Sequence, residues 1–248
     1  MANTFKVTWT DFTVLKKHDV DRDKPYLWVY GIVVDAATID SRNFVIRKPS
    51  GSGNLGHKFK KGDSVTVPSS LDISREITPV LGKAMAGVVV VAWENAMTKD
   101  SVIADAYTAA GDMINDFVGD LADKALKQVT DAILAGTPLD EIELEVKILD
   151  EQLTRLRNDI EAEIRETIKE GAGFFGKAVH DHNIGTGDTV LTLDEPFDLD
   201  IAYRFTKDGT DYSLDADLFY GVVARPGPVH EPGPITPKHQ EPKPTAIK

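Results

Sequence analysis

Three aspartates alternate with other residues in one short segment, at Asp19, Asp21 and Asp23. This spacing presents three carboxylates from one loop, and hard cations such as Ca²⁺ bind to clustered oxygen ligands of this kind. The segment departs from the EF-hand pattern, because Lys24 stands where that loop needs glycine and Tyr30 stands where it needs glutamate. We therefore predict either a calcium site at Asp19, Asp21 and Asp23 or a solvated acidic turn.

A second group of metal-binding side chains is formed by His180, Asp181 and His182. In an extended segment the two histidines point to the same side, so both imidazoles can reach one divalent metal ion. The sequence offers no identifiable third ligand. The other interpretation of His180 and His182 is a polar cap where a helix meets a strand.

Motifs for nucleophilic or phosphate chemistry are absent from the sequence. The chain has no cysteine, which excludes thiol catalysis and zinc–thiolate sites, and it has no Gly-x-Ser-x-Gly nucleophile elbow. The glycine-rich run from Ser50 to Gly56 precedes no predicted helix, so it lacks the context of a phosphate-binding loop. We predict a protein that is not an enzyme and that uses no cofactor other than, in one alternative, calcium.

Phe174 and Phe175 stand side by side among small residues, from Gly171 to Gly176. Such a pair on a pliable segment predicts contact with a membrane or with a groove on a partner protein. The same residues also suit a joint at which the chain turns back, with both rings packed on the body of the protein.

The net charge of −12 is concentrated in one part of the chain. Residues 101–170 contain 17 Asp or Glu against 7 Lys or Arg, a net charge of −10, and the rest of the chain carries only −2. Because this field repels phosphate backbones, we expect no nucleic-acid partner. The sequence shows no secretory leader and no apolar run of membrane-spanning length, so we expect a cytoplasmic protein or one exported without a signal peptide.

The elements that would position these residues are mostly strands. Alternating or continuous apolar runs predict eight of them, at residues 5–14, 26–34, 44–46, 64–67, 87–93, 189–193, 199–205 and 212–223. The continuous run at 87–93 is typical of a strand covered on both faces. We predict an α+β fold in which residues 1–100 and 177–225 form an eight-stranded antiparallel β-sandwich, with Trp28, Val89, Val91 and Trp93 buried between its two sheets.

A long helical hairpin is predicted between the two halves of this sandwich, at residues 101–176. Apolar residues recur there at spacings of three and four, which is the period of one helix face. Gly136 ends the first helix, and Thr137-Pro138 starts the second. The first helix has more apolar surface than one partner helix needs, so we expect it to contact a further surface as well, either the sandwich or another subunit.

The composition changes at Pro226, after which seven prolines occur in 23 residues. We predict that this proline-rich tail, residues 226–248, is extended and contributes nothing to a core.

Strand order places the predicted loops. If successive strands alternate in direction, one end of the sandwich receives the Asp19–Asp23 loop, the Ser50–Gly56 loop, both ends of the hairpin and the turn at Asp208. Three functions remain open. The first is a non-enzymatic interaction or assembly module that binds a protein partner or itself. The second is a membrane-active, pore-forming protein whose hairpin swings out, and the third is a calcium-dependent binding module that uses these loops.

Overall fold

The computed structural model describes residues 2–16, 25–56, 59–94, 99–138, 150–171, 182–207 and 209–223. These ranges contain two antiparallel sheets and three α-helices, which confirms the predicted combination of α and β structure. The strands are β1 (Asn3–Lys16), β2 (Pro25–Val34), β3 (Val45–Arg47), β4 (Ser64–Thr66), β5 (Ile73–Ile77), β6 (Met85–Glu94), β7 (His182–Thr192), β8 (Phe197–Lys207) and β9 (Thr210–Val222). The helices are α1 (Ala36–Ser41), α2 (Asp100–Leu134) and α3 (Asp150–Gly171).

The strands form a five-stranded sheet and a four-stranded sheet. The five-stranded sheet has the order β4-β1-β9-β8, with β5 pairing beside β4 on the same edge of β1. The four-stranded sheet has the order β3-β2-β6-β7. Buried and more exposed residues alternate along β1 and β9, whereas every residue of β2 is buried. The five-stranded sheet is therefore covered on one face only, and the four-stranded sheet is covered on both.

Two apolar clusters explain this difference. The first contains side chains from both sheets, among them Phe5, Val29 and Val90. The second contains side chains of the four-stranded sheet together with side chains of α2 and α3. The expectation that four residues lie between the sheets was wrong, because they belong to this second cluster and face the helices: Trp28, Val89, Val91 and Trp93. A strand that is apolar on both faces does not reveal which face meets the helices and which meets the other sheet.

The described residues form nine strands, one more than the eight predicted. The additional strand is β5, which is short and carries Ser74, Arg75 and Glu76 between two buried isoleucines. Its polar centre hides the alternation that identifies longer strands. β4 and β5 both pair antiparallel with β1, so they run in the same direction. The direction predicted for the next strand, β6, is therefore correct even though β5 was not predicted.

The strand registers place one set of loops together. Lys16 pairs with Asp211, Pro25 pairs with Glu94, and Glu94 pairs with His182. Only eight residues separate Lys16 from Pro25, so both sheets contribute to the same end of the molecule. We call it the loop end, and it is the end at which the sequence placed the acidic loops.

Helix α2 lies on the four-stranded sheet and also packs against α3. Its buried residues extend from Val102 to Ala125, and the buried residues of α3 recur every four positions at Leu156, Ile160, Ile164 and Ile168. As predicted, α2 stops at Gly136, which has φ +81°, and the backbone N–H of Thr137 donates to the Ala132 carbonyl as in a Schellman motif. None of the described helices is both long and apolar enough to cross a membrane.

Candidate functional site

Most residues that the sequence singled out fall outside the described ranges. These residues are Asp19, Asp21, Asp23, Phe174, Phe175 and His180, and the proline-rich tail lies outside as well. The calcium site, the membrane-contact pair and the position of the tail stay predictions.

His182 is the one predicted ligand with a described backbone position. It is the first residue of β7, and its Cα lies opposite that of Glu94 at the loop end. Across the described ranges, no three His, Asp or Glu side chains come close enough together to hold a metal ion.

A small apolar pocket that is open to solvent lies at the opposite end of the four-stranded sheet. Its floor is formed by residues at strand ends, Val34, Met85 and Thr192. One wall is formed by Leu126 and two alanines of α2, Ala122 and Ala125, whose small side chains leave the space open. Since these residues are spread over four elements, the pocket is a product of the fold and not of one segment.

The opposite wall comes from α1 and from a tight turn before β6. Ile39 projects from α1, and Val80 and Lys83 exchange backbone hydrogen bonds of 2.8 and 3.0 Å across the turn. The two central residues, Leu81 and Gly82, have φ values of +49° and +79°, which is the type I′ pattern. Leucine is an unusual residue in this conformation, since its Cβ crowds the following carbonyl group.

Asp35 joins the two parts of this wall. Its carboxylate accepts a 2.9 Å hydrogen bond from the Thr38 N–H in the first turn of α1 and a 3.0 Å hydrogen bond from the Thr78 N–H just before the turn. The backbone N–H of Ala36 also donates to the Thr78 carbonyl at 2.9 Å. Asp35 is only 1% exposed, so these backbone donors are what compensates the burial of its charge.

We call the end of the molecule at which the pocket lies the apolar end. Seven large hydrophobic side chains are exposed in the part of the chain that the structure describes, and five of them are at this end: Leu81, Ile133, Leu134, Val222 and Val223. Leu199 is the third residue of β8 counted from the same end, and only Leu15 lies near the loop end. Leu134 is 80% exposed. Large exposed side chains of this kind are normally scattered singly over a monomer, and their occurrence at one end distinguishes this end from the rest of the described surface.

The pocket has the chemistry of a binding site for aliphatic groups. Of the residues that line it, Lys83 alone carries a charge, and the others are aliphatic apart from Thr192. No lining side chain is a carboxylate, a histidine, a serine or a cysteine. The sequence did not predict the pocket. The one local signal for it was Leu81-Gly82 at the centre of a type I′ turn, where Asn-Gly is the preferred pair.

Two tyrosines hold α2 on the sheet. The rings of Tyr30 and Tyr107 stack with centroids 4.8 Å apart, and the Tyr30 hydroxyl donates to the Tyr107 carbonyl at 2.9 Å. The Tyr107 hydroxyl accepts from the Lys48 N–H at 2.8 Å. Burial raises the pKa of Tyr30 well above its ordinary value and that of Tyr107 to about 12, so both phenols keep their protons at neutral pH.

Ion pairs add to this attachment. Arg47 binds Asp112 at 2.6 Å, and Arg42, which follows α1, binds Asp123 through two contacts of 2.5 and 2.9 Å. The hydrogen bond from Arg42 lowers the pKa of Asp123. Gly111 allows the close approach, because a Cβ there would lie 2.8 Å from Arg47 Nε.

Helix α3 is attached to the edge strand β7 by one ion pair. Arg157 donates to Asp188, whose side chain is only 4% exposed, and this hydrogen bond raises the pKa of Arg157. Both long helices are thus fixed to the sheet by polar contacts as well as by apolar packing.

Comparison with known proteins gives no assignment, since no family model, curated protein or solved structure matches the chain.

Proposed function

We propose that this protein is a non-enzymatic assembly module that associates with itself. In this proposal the two sheets form the β-sandwich body, the helical hairpin stiffens one face, and the proline-rich tail adds contacts to a neighbour. The supporting observation is the apolar end, where a small aliphatic pocket and five exposed hydrophobic side chains occur at the same end of the molecule. Exposed patches of this type, bounded by charged residues, are typical of protein interfaces.

The attachment of α2 favours assembly over membrane insertion. For the hairpin to swing out, the Tyr30–Tyr107 stack, two Arg–Asp pairs and the Arg157–Asp188 pair would all have to break. The apolar cluster that joins the sheet to both helices would also become exposed to water. The 17 acidic residues of segment 101–170 make entry into lipid still less favourable at neutral pH.

The first experiment is a measurement of native mass against concentration by sedimentation equilibrium. We expect a species of at least twice 27.1 kDa that dissociates on dilution. A strict monomer over the whole micromolar range would contradict the proposal.

A second experiment separates a fixed hairpin from a mobile one. Because the chain has no cysteine, Arg42→Cys and Asp123→Cys can be bridged by a short bis-maleimide, which pins α2 to the segment after α1. We expect the bridged protein to keep its native mass and neither form to release dye from vesicles. Leakage by the unbridged protein that the bridge abolishes would support the membrane-active alternative.

A further inference from the structure

We infer that the apolar pocket binds the C-terminal segment, residues 224–248, of a second copy of the chain, with Ile235 as its anchor. This inference rests on the proposed function and adds to it the surface and the segment that make the contact. In a two-fold dimer each copy would give its segment to the other and receive one in return.

The course of β9 brings the segment to the correct end of the molecule. Val222, the last residue of β9, pairs with Asn3 and is therefore at the end opposite the loop end. The pocket is at the same end, beyond the Val34–Met85 pair. Twelve residues lead from Val223 to Ile235, and a proline-rich chain covers ~37 Å over that length. This distance exceeds the ~10 Å between packed sheets and leaves enough length to reach a neighbour.

Charge also favours this segment. Residues 224–248 contain four Lys or Arg and two Glu, a net charge of +2, whereas residues 101–170, which include the helical wall of the pocket, carry −10. Asp120 is exposed on α2 beside that wall, whereas the neighbouring Asp123 is paired with Arg42 and Lys83 lies in the pocket lining. The charge of the segment therefore attracts it to the acidic helical hairpin as a whole, and the lining of the pocket has to supply the selectivity.

The lining of the pocket selects an aliphatic anchor. Grooves that recognise proline rings are lined by aromatic residues, and none lines this pocket. The branched side chains of the segment are Val229, Ile235 and Ile247. Ile235 lies between Pro234 and Pro237, which restrict the backbone on either side of it, so the segment around Ile235 loses little freedom on binding.

A second copy, and not the chain's own segment, accounts for the remaining exposed residues. A segment folded back into its own pocket would leave Leu134, Val222 and Val223 uncovered, whereas a copy placed end to end would cover them. Leu81 points to the same conclusion, because asparagine at this turn position would suit the fold better than an exposed leucine in a left-handed conformation. The Leu81 side chain adds apolar area to the surface but makes the turn less stable than asparagine would.

Crosslinking between two full-length variants tests the contact. Lys83→Cys places a thiol on the rim of the pocket, and Ile235→Cys places one on the anchor. We expect mild oxidation of the mixture to give a two-chain product that contains both variants. A mixture of Asp215→Cys, on the exposed face of the five-stranded sheet, with Ile235→Cys is the matched control and should give none. Crosslinking only within a chain that carries both cysteines, at the mass of one chain, would show that the pocket receives its own segment and would overturn the inference.

The native mass of two further variants completes the test. Leu81→Asn should raise the urea midpoint of unfolding, because it creates the preferred Asn-Gly turn, and should raise the dissociation constant of the dimer at least tenfold. Ile235→Asp should raise the dissociation constant by a similar factor without a change in the midpoint, when the midpoints of both variants and of the wild type are measured at concentrations at which the chains are monomeric. If both variants remain dimeric and no crosslink forms, this inference is wrong but the proposed function stands. If the wild-type protein is a monomer, both are wrong. A monomer that binds vesicles through Leu81 would identify the apolar end as a lipid-binding surface and would also overturn the inference.

Discussion

Asp35 offers the sharpest test of how the pocket wall is held in place. Its two carboxylate oxygens accept backbone hydrogen bonds from separate elements, one from Thr38 in α1 and one from Thr78 before the Val80–Lys83 turn. Thr38 is buried as well and returns the contact, because its hydroxyl accepts from the Asp35 N–H at 2.9 Å. This reciprocal arrangement is a capping box. Removing the carboxylate therefore affects the start of α1 and the neighbouring turn together.

The magnitude follows from the number of hydrogen bonds lost. A hydrogen bond to a charged acceptor contributes about 1.5–3 kcal/mol. Asp35→Asn keeps an oxygen for the Thr38 N–H but turns its amide donors toward the Thr78 N–H, so one bond is lost and the free energy of unfolding should fall by about 2 kcal/mol. Asp35→Ala loses both bonds together with the cap, and part of that loss is offset because no charge remains buried. We expect a decrease of about 3–4 kcal/mol.

Urea denaturation followed by tryptophan fluorescence measures these differences at an unchanged m-value. The control is Asp72→Asn, since Asp72 accepts a single backbone hydrogen bond, from the Trp9 N–H at 3.1 Å, and an asparagine oxygen can replace it. It should change stability by no more than about 0.5 kcal/mol. The reasoning is refuted if Asp35→Ala and Asp72→Asn lower the unfolding free energy by the same small amount.

Three further predictions concern ionic contacts. Arg157→Leu should destabilise the fold by about 3 kcal/mol in thermal or urea unfolding because it leaves the buried Asp188 unpaired, and adding Asp188→Leu should recover most of that loss. Asp217→Thr should stabilise by about 0.5 kcal/mol at low salt and by less in 1 M salt, since Asp217 stands opposite Asp200 on an exposed sheet face. Arg42→Gln should lower stability at neutral pH, and its deficit should shrink as the pH falls below about 4, where the carboxylate partner protonates in both proteins.

The sequence predicted the elements with strong local patterns. The alternation along β1 and β9, the apolar run of β6 and the Gly136 helix stop each rest on a periodicity or on one residue with a special conformation. The first helix was expected to contact a surface beyond its partner helix, and that surface is the four-stranded sheet. Periodicity could not say which sheet face it would cover. The side chains of Trp28 and Trp93 therefore lie against the helices and not between the sheets.

The pocket could not have been predicted in this way. Ile39, Lys83, Leu126 and Thr192 are far apart in the chain, and each is an ordinary residue in its own element. Only the register of β2, β6 and β7, which places Val34, Met85 and Thr192 side by side, brings them to one end. A local pattern records which face of a helix is apolar, but it does not record where along the helix the partner surface ends.

The length of α2 accounts for the position of the proposed association surface. β6 has ten residues and spans ~34 Å, and the buried part of α2, residues 102–125, spans ~36 Å, so the sheet and the helix it supports match in length. The last buried residue of α2 is Ala125. Nine more residues, ~13 Å, continue beyond the strand ends, and the first of them, Leu126, lines the pocket. The pocket lies where the sheet ends and α2 continues. Ile133 and Leu134 are on the part of α2 that extends past the strands. A partner that binds there covers the pocket and the helix end in one contact, so shortening α2 to the length of the sheet should abolish association while preserving the fold.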